Sequence, residues 1–204
     1  MTDLLTLSPV MPVVVIDDAD DAVPTARALL AGGVGVIELT LRTPAALAAI
    51  ERVAVEVPDI VVGAGTVTSE EQAKLAASAG AQFLVTPGCT DALLDAAFAT
   101  GLPFLPGAST VSEALRLAER GLTALKFFPA EASGGTAFLK SIAGPLPDLR
   151  FCPTGGVTPD SARSYLALPN VGCVGGSWLT PEKLLSTKDF DEVRNLAAEA
   201  ATLR

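Results

Sequence analysis

Lys126 is the residue whose setting most strongly suggests chemistry. It lies in the run Ala124–Glu131, which is mostly apolar and begins with the composition of a β-strand. The other four lysines lie in segments predicted to be helices or helix ends: Lys74, Lys140, Lys183 and Lys188. Burial disfavours a charged amine, and a neutral amine beside a carbonyl substrate forms a Schiff base. A strand-end lysine that extends to solvent is the alternative, and this run alone leaves both interpretations open.

Glu38 is the second candidate, because it lies on one face of another predicted strand, Val34–Arg42. Alternate residues of that strand form an apolar face suited to the surrounding helices: Ile37, Leu39 and Leu41. The opposite face carries both Glu38 and Arg42, two ionisable groups that would make a poor core. A buried ion pair that only fixes the strand register is the alternative, and we favour a catalytic site.

The elements that must position these residues alternate regularly along the chain. Apolar, β-prone runs begin near Pro12, Val34, Ile60, Gln82, Leu102, Ala124, Arg150 and Val171. They recur about every 20 to 26 residues, the size of one strand and one helix, with no linker between units. Eight such units predict an α/β fold, a (β/α)₈ TIM barrel forming a single domain over residues 1–204. A doubly wound open sheet is the alternative, but no Gly-x-Gly-x-x-Gly turn follows the first strand.

Helix boundaries are marked by capping residues and glycines. Three Thr-Pro pairs predict helix starts: Thr43-Pro44, Thr158-Pro159 and Thr180-Pro181. Ser69–Gln72 and Thr110–Glu113 have the spacing of a capping box. Helix ends are predicted at Gly32-Gly33, Gly80, Gly101 and Gly121. Residues 189–203 predict an additional C-terminal helix outside the eight units.

Glycine pairs close the last two predicted strands. Thr154 precedes Gly155-Gly156, and Gly175-Gly176 precedes Ser177. In a (β/α)₈ barrel, the loops after strands seven and eight commonly bind phosphate through backbone N–H groups. Two glycine pairs at matching positions therefore favour a phosphate site over simple turns.

Composition excludes several classes of function. The chain has 204 residues, no histidine and a net charge of −9, which argues against nucleic-acid or anionic-membrane partners. With no histidine and no carboxylate cluster, we expect no metal site and no cofactor. The N-terminus lacks a basic signal region and no apolar run is long enough to span a membrane, so we expect a cytoplasmic protein. The three cysteines, Cys89, Cys152 and Cys173, are expected to be small buried residues of a reducing compartment.

Six motifs from six predicted strands together resemble the bacterial class I aldolases of 2-keto-3-deoxy-6-phosphogluconate (KDPG) and 4-hydroxy-2-oxoglutarate (KHG). The matching segments are Glu38–Thr43, Gly63–Thr66, Thr86–Gly88, Lys126–Glu131, Phe151–Gly156 and Gly175–Trp178. The resemblance implies a (β/α)₈ barrel, a homotrimer, and cleavage of KDPG to pyruvate and glyceraldehyde 3-phosphate in the Entner–Doudoroff pathway. It also implies cleavage of KHG to pyruvate and glyoxylate.

The same resemblance implies roles for individual residues. Lys126 resembles the family's Schiff-base lysine, and Glu38 its general acid/base. Arg42 and Thr66 resemble the residues that hold the pyruvyl carboxylate, although Thr66 alone could equally cap the next helix. Pro87 and Phe128 resemble pocket-lining residues, and Thr154 resembles the contact to the hydroxylated carbons of the substrate. The implied phosphate cradle consists of Gly155, Gly156, Gly176 and Ser177. Glu131 is interpreted as rim structure and Trp178 as packing.

Two other functions share the predicted phosphate loops. Isomerases or synthases on similar barrels would not need a lysine on strand six opposite a glutamate on strand two. A catalytically inactive barrel could bind a phosphorylated sugar without converting it. Trapping pyruvate on Lys126 with borohydride would separate the aldolase from both.

Overall fold

The computed structural model describes residues 3–204 and consists of parallel strands alternating with helices. Its strands are β1 Val10–Val14, β2 Val36–Thr40, β3 Val61–Gly65, β4 Phe83–Val85, β5 Phe104–Leu105, β6 Gly107–Ala108, β7 Ala124–Phe127, β8 Arg150–Pro153 and β9 Val174–Gly176. Its α-helices are α1 Ala22–Ala31, α2 Ala46–Glu56, α3 Glu70–Ser78, α4 Asp91–Ala99, α5 Val111–Glu119, α6 Gly135–Ile142, α7 Pro159–Leu166, α8 Glu182–Ser186 and α9 Phe190–Ala201. Two short 3-10 helices, Leu4–Thr6 and Ala19–Asp21, precede β1 and α1.

The strands form two parallel sheets that follow the chain order. One sheet has the order β5-β4-β3-β2-β1-β9 and the other β6-β7-β8. Isolated parallel pairings of Phe151 with Val171 and of Thr154 with Gly175 link β8 to the segment that contains β9. The predicted α/β alternation is therefore confirmed, with first and last strands paired through β1 and β9.

The fifth predicted strand is split in two, and proline explains the break. Pro106 separates β5 from β6 and has no N–H to donate to a neighbouring strand. Its carbonyl still accepts a hydrogen bond of 2.8 Å from the backbone N–H of Lys126. The single strand predicted near Leu102 therefore contributes β5 to the edge of the first sheet and β6 to the edge of the second.

The helix-start predictions are partly confirmed. Thr158 and Thr110 each complete a capping box, and Ser69 accepts a hydrogen bond from the backbone N–H of Gln72. The Thr43 prediction is wrong: α2 begins at Ala46, and the Thr43 hydroxyl donates instead to the carbonyl of Ile16. The Thr180 prediction is also wrong, because Pro181 occupies the position before α8 without a side-chain cap.

The helix-end and C-terminal predictions hold. Gly33, Gly80, Gly101 and Gly121 all have positive φ angles, from 73° to 91°, which favour glycine. The additional helix α9 packs against α1, where Gly32 lies so close to Ala197 that a side chain at position 32 would overlap it. Among residues 3–204, no helix is long and apolar enough to cross a membrane.

Candidate active site

Lys126 and Glu38 meet in the interior of the protein. Their side chains come from β7 and β2, and Lys126 Nζ lies 3.2 Å from Glu38 Oε1. Lys126 is 4% exposed and Glu38 is 1% exposed. The inward-facing parity predicted for Glu38 is therefore observed, and the solvent-directed alternative for Lys126 is wrong. A buried amine beside a buried carboxylate can exchange a proton without creating net charge.

Glycine and aromatic residues shape the space around this pair. Gly65 of β3 lies directly against the Glu38 carboxyl group, which fills the place of a side chain at that position. The Phe128 ring lies on another side, with its centroid 5.5 Å from Lys126 Nζ, a distance at which a ring face attracts a cation. Gly65 thus makes room for the Glu38 carboxyl group of the neighbouring strand.

Arg42 and Thr66 lie together at the ends of β2 and β3. Arg42 is exposed, and its Nε donates a hydrogen bond of 3.0 Å to Thr66 Oγ1. Thr66 has a φ of 56°, in the left-handed region that a β-branched residue rarely adopts. Such backbone strain often accompanies a functional site. Within residues 3–204 the other N–H donors of this guanidinium group have no protein acceptor, so they can face a planar carboxylate.

Pro87 and Phe128 follow β4 and β7 and are both half-buried. The backbone of Pro87 lies against Gly107 so closely that a side chain on Gly107 would overlap it. Phe128 also contacts the next loop, since a Cβ on Gly155 would lie 3.2 Å from its ring. Both residues follow the C-terminal ends of their strands, and Lys126 is the last residue but one of β7.

The loops after β8 and β9 bring the remaining predicted residues together. Thr154 is buried and pairs with Gly175, whose Cα lies against the Thr154 hydroxyl. Gly155 and Gly156 have φ angles of 99° and 82°, so both positions favour glycine. Gly176 is buried at the end of β9, and Ser177 is exposed beyond it.

Backbone donors in these loops are available to a ligand. Within residues 3–204, the N–H groups of Gly155, Gly156 and Ser177 donate to no backbone carbonyl. Unpaired N–H groups in successive residues of a tight loop form a concave site suited to an anion. The arrangement is compatible with a phosphate group, although the protein carries a net charge of −9.

One cavity at the strand ends does not include the reactive pair. This cavity of about 510 Å³ opens at the ends of β1 and β9 and is lined by Ser177, Val13, Asp17, Asp18 and Glu182, among others. Neither Lys126 nor Glu38 belongs to its lining. Because this lining contains no amine that could form an imine with a keto acid, we assign the chemistry to the Lys126–Glu38 pair.

Glu131 and Tyr165 make a contact that the sequence does not reveal. The Tyr165 hydroxyl donates a 2.6 Å hydrogen bond to Glu131 Oε1. The Glu131 side chain packs against the Cα of Gly156. Burial, and then this hydrogen bond, raise the pKa of Tyr165 well above its ordinary value, so the phenol remains the donor. The only available signal was that Tyr165 is the single tyrosine of the chain.

The cysteines differ from one another in burial. All three are free thiols, with Cys152 and Cys173 buried and Cys89 only half-buried. Cys152 lies beside Lys126 in the register of β7 and β8. In the part of the chain from residue 3 to residue 204, no three His, Cys, Asp or Glu side chains form a group able to hold a metal ion.

Comparison with known proteins assigns the chain to the aldolases. The sequence model for KDPG and KHG aldolase matches residues 1–196, and the chain therefore belongs to that family of aldehyde-lyases. The chain is 53% identical to the 2-dehydro-3-deoxy-phosphogluconate aldolase of Dickeya dadantii, over 97% of this chain and 92% of that protein. It is 51% identical to the KHG/KDPG aldolase of Escherichia coli K12, with the same 97% and 92% coverage.

Solved structures of relatives share the fold. KDPG aldolase from Legionella pneumophila, with pyruvate captured at low pH as a covalent carbinolamine intermediate, superposes with a TM-score of 0.95 and 43% identity, covering 97% of this chain and 96% of that one. The KDPG aldolase of Zymomonas mobilis ZM4 with 3-phosphoglycerate gives a TM-score of 0.93 and 46% identity, covering 98% and 94%.

Proposed function

We propose that this protein is a class I aldolase that cleaves KDPG to pyruvate and glyceraldehyde 3-phosphate in the Entner–Doudoroff pathway. We further propose that it cleaves KHG to pyruvate and glyoxylate. The observation that carries the proposal is the buried Lys126–Glu38 pair, with 3.2 Å between Nζ and Oε1, in a member of the KDPG and KHG aldolase family.

The reaction begins when neutral Lys126 Nζ attacks the C2 ketone of the substrate. Loss of water from the resulting carbinolamine gives a protonated imine, which is the electron sink of the reaction. A base then removes the proton of the C4 hydroxyl, and the C3–C4 bond breaks. The hydroxyl-bearing fragment leaves as the aldehyde, while the bonding electrons pass into an enamine of pyruvate. Protonation at C3 and hydrolysis of the imine release pyruvate and restore the amine.

Glu38 is the proposed acid and base for these proton transfers. Its Oε1 is already within hydrogen-bonding reach of Lys126 Nζ, as a general acid/base must be. The chain contains no histidine that could serve in its place. Passing one proton from the ammonium group to the carboxylate would leave a neutral amine and a neutral carboxylic acid in contact, and the amine could then attack the ketone.

The proposed binding residues would contact the substrate at successive points, from its carboxylate to its phosphate. Arg42 and Thr66 would hold its carboxylate, since the 3.0 Å contact between them already fixes the guanidinium plane. Pro87 and Phe128 would line the pocket around the pyruvyl carbons. Thr154 would contact the hydroxylated carbons.

The far end of the substrate would lie at the glycine loops. Gly155, Gly156, Gly176 and Ser177 would bind the phosphate, supported by the free backbone donors in these loops. The four proposed binding roles would thus be shared among residues at the ends of six strands, β2, β3, β4, β7, β8 and β9.

We propose one closed (β/α)₈ barrel as the architecture. Support comes from the chain-ordered strands, from the two pairings that link β8 to the last strand, and from the single hydrophobic cluster shared by strands and helices. A homotrimer remains a proposal based on the family resemblance, and a cytoplasmic location is proposed because all three cysteines are free thiols. Light scattering on the purified protein tests the trimer, and a monomeric mass would contradict it.

Borohydride reduction in the presence of pyruvate tests the reaction. We expect one N-(1-carboxyethyl)lysine per chain, mapped by mass spectrometry to Lys126, and cleavage of both keto acids by the same protein. Lys126→Ala should abolish the adduct and the activity, whereas Lys140→Ala, which removes an exposed lysine of α6, should change neither. A wild-type mass that stays unmodified would favour an isomerase, a synthase or a non-catalytic binder.

A further inference from the structure

Tyr165 reaches back from helix α7 towards the loop that precedes the helix. This loop holds Gly155 and Gly156 and joins β8 to α7. Tyr165 is fully buried, and its hydroxyl lies 2.6 Å from Glu131 Oε1. Glu131 itself is exposed, and because a hydrogen bond to a charged group is short and directional, the phenol orients the Glu131 carboxylate.

Glu131 in turn supports Gly156. A Cβ on Gly156 would meet Glu131 Cγ at 2.7 Å and Cβ at 2.8 Å, so the stem of Glu131 lies directly against the glycine. The φ of 82° at Gly156 turns the backbone over this stem. The glycine conformation and the side chain beneath it are therefore matched to one another.

Backbone hydrogen bonds join the same two segments. The N–H of Glu131 donates to the carbonyl of Gly155 at 3.1 Å, and that of Ala130 donates to the carbonyl of Thr154 at 2.8 Å. These two carbonyls belong to the same planar peptide units as the N–H groups of Gly155 and Gly156. Because the C=O and N–H of a trans peptide point in opposite directions, the two N–H groups face away from the contact. The loop after the lysine strand β7 thus sets the conformation of the loop after β8.

A carboxylate beneath a phosphate loop would ordinarily repel the phosphate. Here the Tyr165 hydroxyl holds one carboxylate oxygen, and the other lies near Gly135, where a Cβ would be 3.6 Å from Oε2. The charge is thereby directed towards α6 and α7. Released from Tyr165, the same carboxylate would be free to rotate towards the glycine loop.

We propose that Glu131 and Tyr165 are positioning residues for the phosphate end of the substrate. They hold the Gly155–Gly156 donors in place and keep the Glu131 charge away from them. The inference rests on the proposed function, because it assigns a specificity device to that same site. It gives Glu131, interpreted from the sequence as rim structure, a role in substrate choice.

Kinetics on two substrates test this role, because KHG has no phosphate. For Tyr165→Phe we expect the KM for KDPG to rise about tenfold, the effect of losing one charge-assisted hydrogen bond. The KM and kcat for KHG should change less than about twofold, and the yield of the borohydride adduct with pyruvate should stay at the wild-type level. Thermal unfolding of each variant confirms that the fold persists.

Variants at Glu131 supply the matched controls. Glu131→Ala should raise the KM for KDPG as Tyr165→Phe does, whereas Glu131→Gln keeps an acceptor for the phenol and should remain within about twofold of wild type. The double variant Tyr165→Phe with Glu131→Ala should be no worse than either single change, since the two residues act as one unit.

Equal losses on both substrates, or an unchanged KM for KDPG in Tyr165→Phe, would overturn the positioning role while leaving the aldolase assignment intact. A wild-type protein that neither traps pyruvate nor cleaves KDPG would instead overturn the proposed function, and this inference with it.

Discussion

The carboxyl group of Glu38 occupies the space in which a side chain of Gly65 would lie. A Cβ at position 65 would overlap Oε1, Cγ and Cδ of Glu38, which are atoms of the proposed acid/base. Gly65 belongs to β3, the strand that pairs with β2 on the side away from β1. The absence of one side chain therefore allows Glu38 to reach Lys126.

Gly65→Ala should reduce activity while the protein stays folded. The methyl group would push the end of a flexible side chain away from Lys126, and a misplaced acid/base loses much of its usual factor of about 10² to 10⁴. We expect kcat for KDPG to fall at least about tenfold in steady-state assays. Gly35→Ala is the matched control, because nothing lies within 4 Å of its added Cβ. Equal activity in the two variants would contradict the proposed steric role.

Glu38→Gln should lower kcat by about 10² to 10⁴ on KDPG and KHG alike. The amide keeps the size of the carboxyl group but cannot accept and return a proton. Stopped-flow measurement of pyruvate release gives the rate, and Glu51→Gln, which alters an exposed glutamate of α2, controls for the lost charge. A decrease of less than about threefold would remove Glu38 from the mechanism.

Ser177→Asp should impair the phosphorylated substrate selectively. A carboxylate placed at the proposed phosphate loop repels a phosphate, so we expect the KM for KDPG to rise about tenfold or more and that for KHG to change little. Ser112→Asp adds the same charge to the exposed face of α5 and should leave both KM values unchanged. Parallel increases for the two substrates would place the phosphate elsewhere.

Cys89 should react slowly with alkylating reagents at neutral pH. Burial raises the pKa of its thiol from an ordinary 9.0 to about 11, so roughly a hundredfold less thiolate is present near pH 7. Because the folded-state pKa is raised, the neutral thiol dominates up to that value, and the rate should climb as the pH approaches 11. Iodoacetamide labelling followed by mass spectrometry measures this rate, with Cys89→Ser as the blank. Rapid labelling at pH 7 would show that the thiol is not shielded.

Removal of divalent cations should leave the activity unchanged. In the proposed mechanism the protonated imine withdraws the electrons that a metal ion would otherwise stabilise. Assays after exhaustive dialysis against EDTA should therefore match untreated enzyme. Loss of activity that added Mg²⁺ or Zn²⁺ restores would contradict the imine mechanism.

Local patterns allowed much of the fold to be predicted. Strand parity correctly predicted that Glu38 points inward, and glycines predicted to end helices were found to have positive φ angles. The failures occur where tertiary contacts compete with local ones. Thr43 resembles a helix cap in sequence, but its hydroxyl donates to the carbonyl of Ile16, 27 residues away. The composition of the fifth predicted strand indicated one continuous element, but Pro106 divides it into β5 and β6.

Within the candidate site, local strand patterns were again predictable and tertiary contacts were not. The inward direction of Glu38 followed from strand parity, whereas its pairing with Lys126 was implied by the family resemblance. The Glu131–Tyr165 hydrogen bond followed from neither, because it depends on how far α7 turns back over the loop before it. Thr66 was ambiguous in sequence, but Ser69 caps α3, and Thr66 instead has a left-handed φ of 56° and contacts Arg42.

The two groups of the reactive pair are separated by 88 residues of chain. In an incompletely folded molecule, Lys126 is an ordinary hydrated amine and Glu38 an ordinary hydrated acid, and neither has a special affinity for keto acids. Their reactivity is consequently a property of the finished tertiary structure, gained late and lost at the first global opening. Pyruvate labelling of Lys126 would then count native molecules in a mixed population.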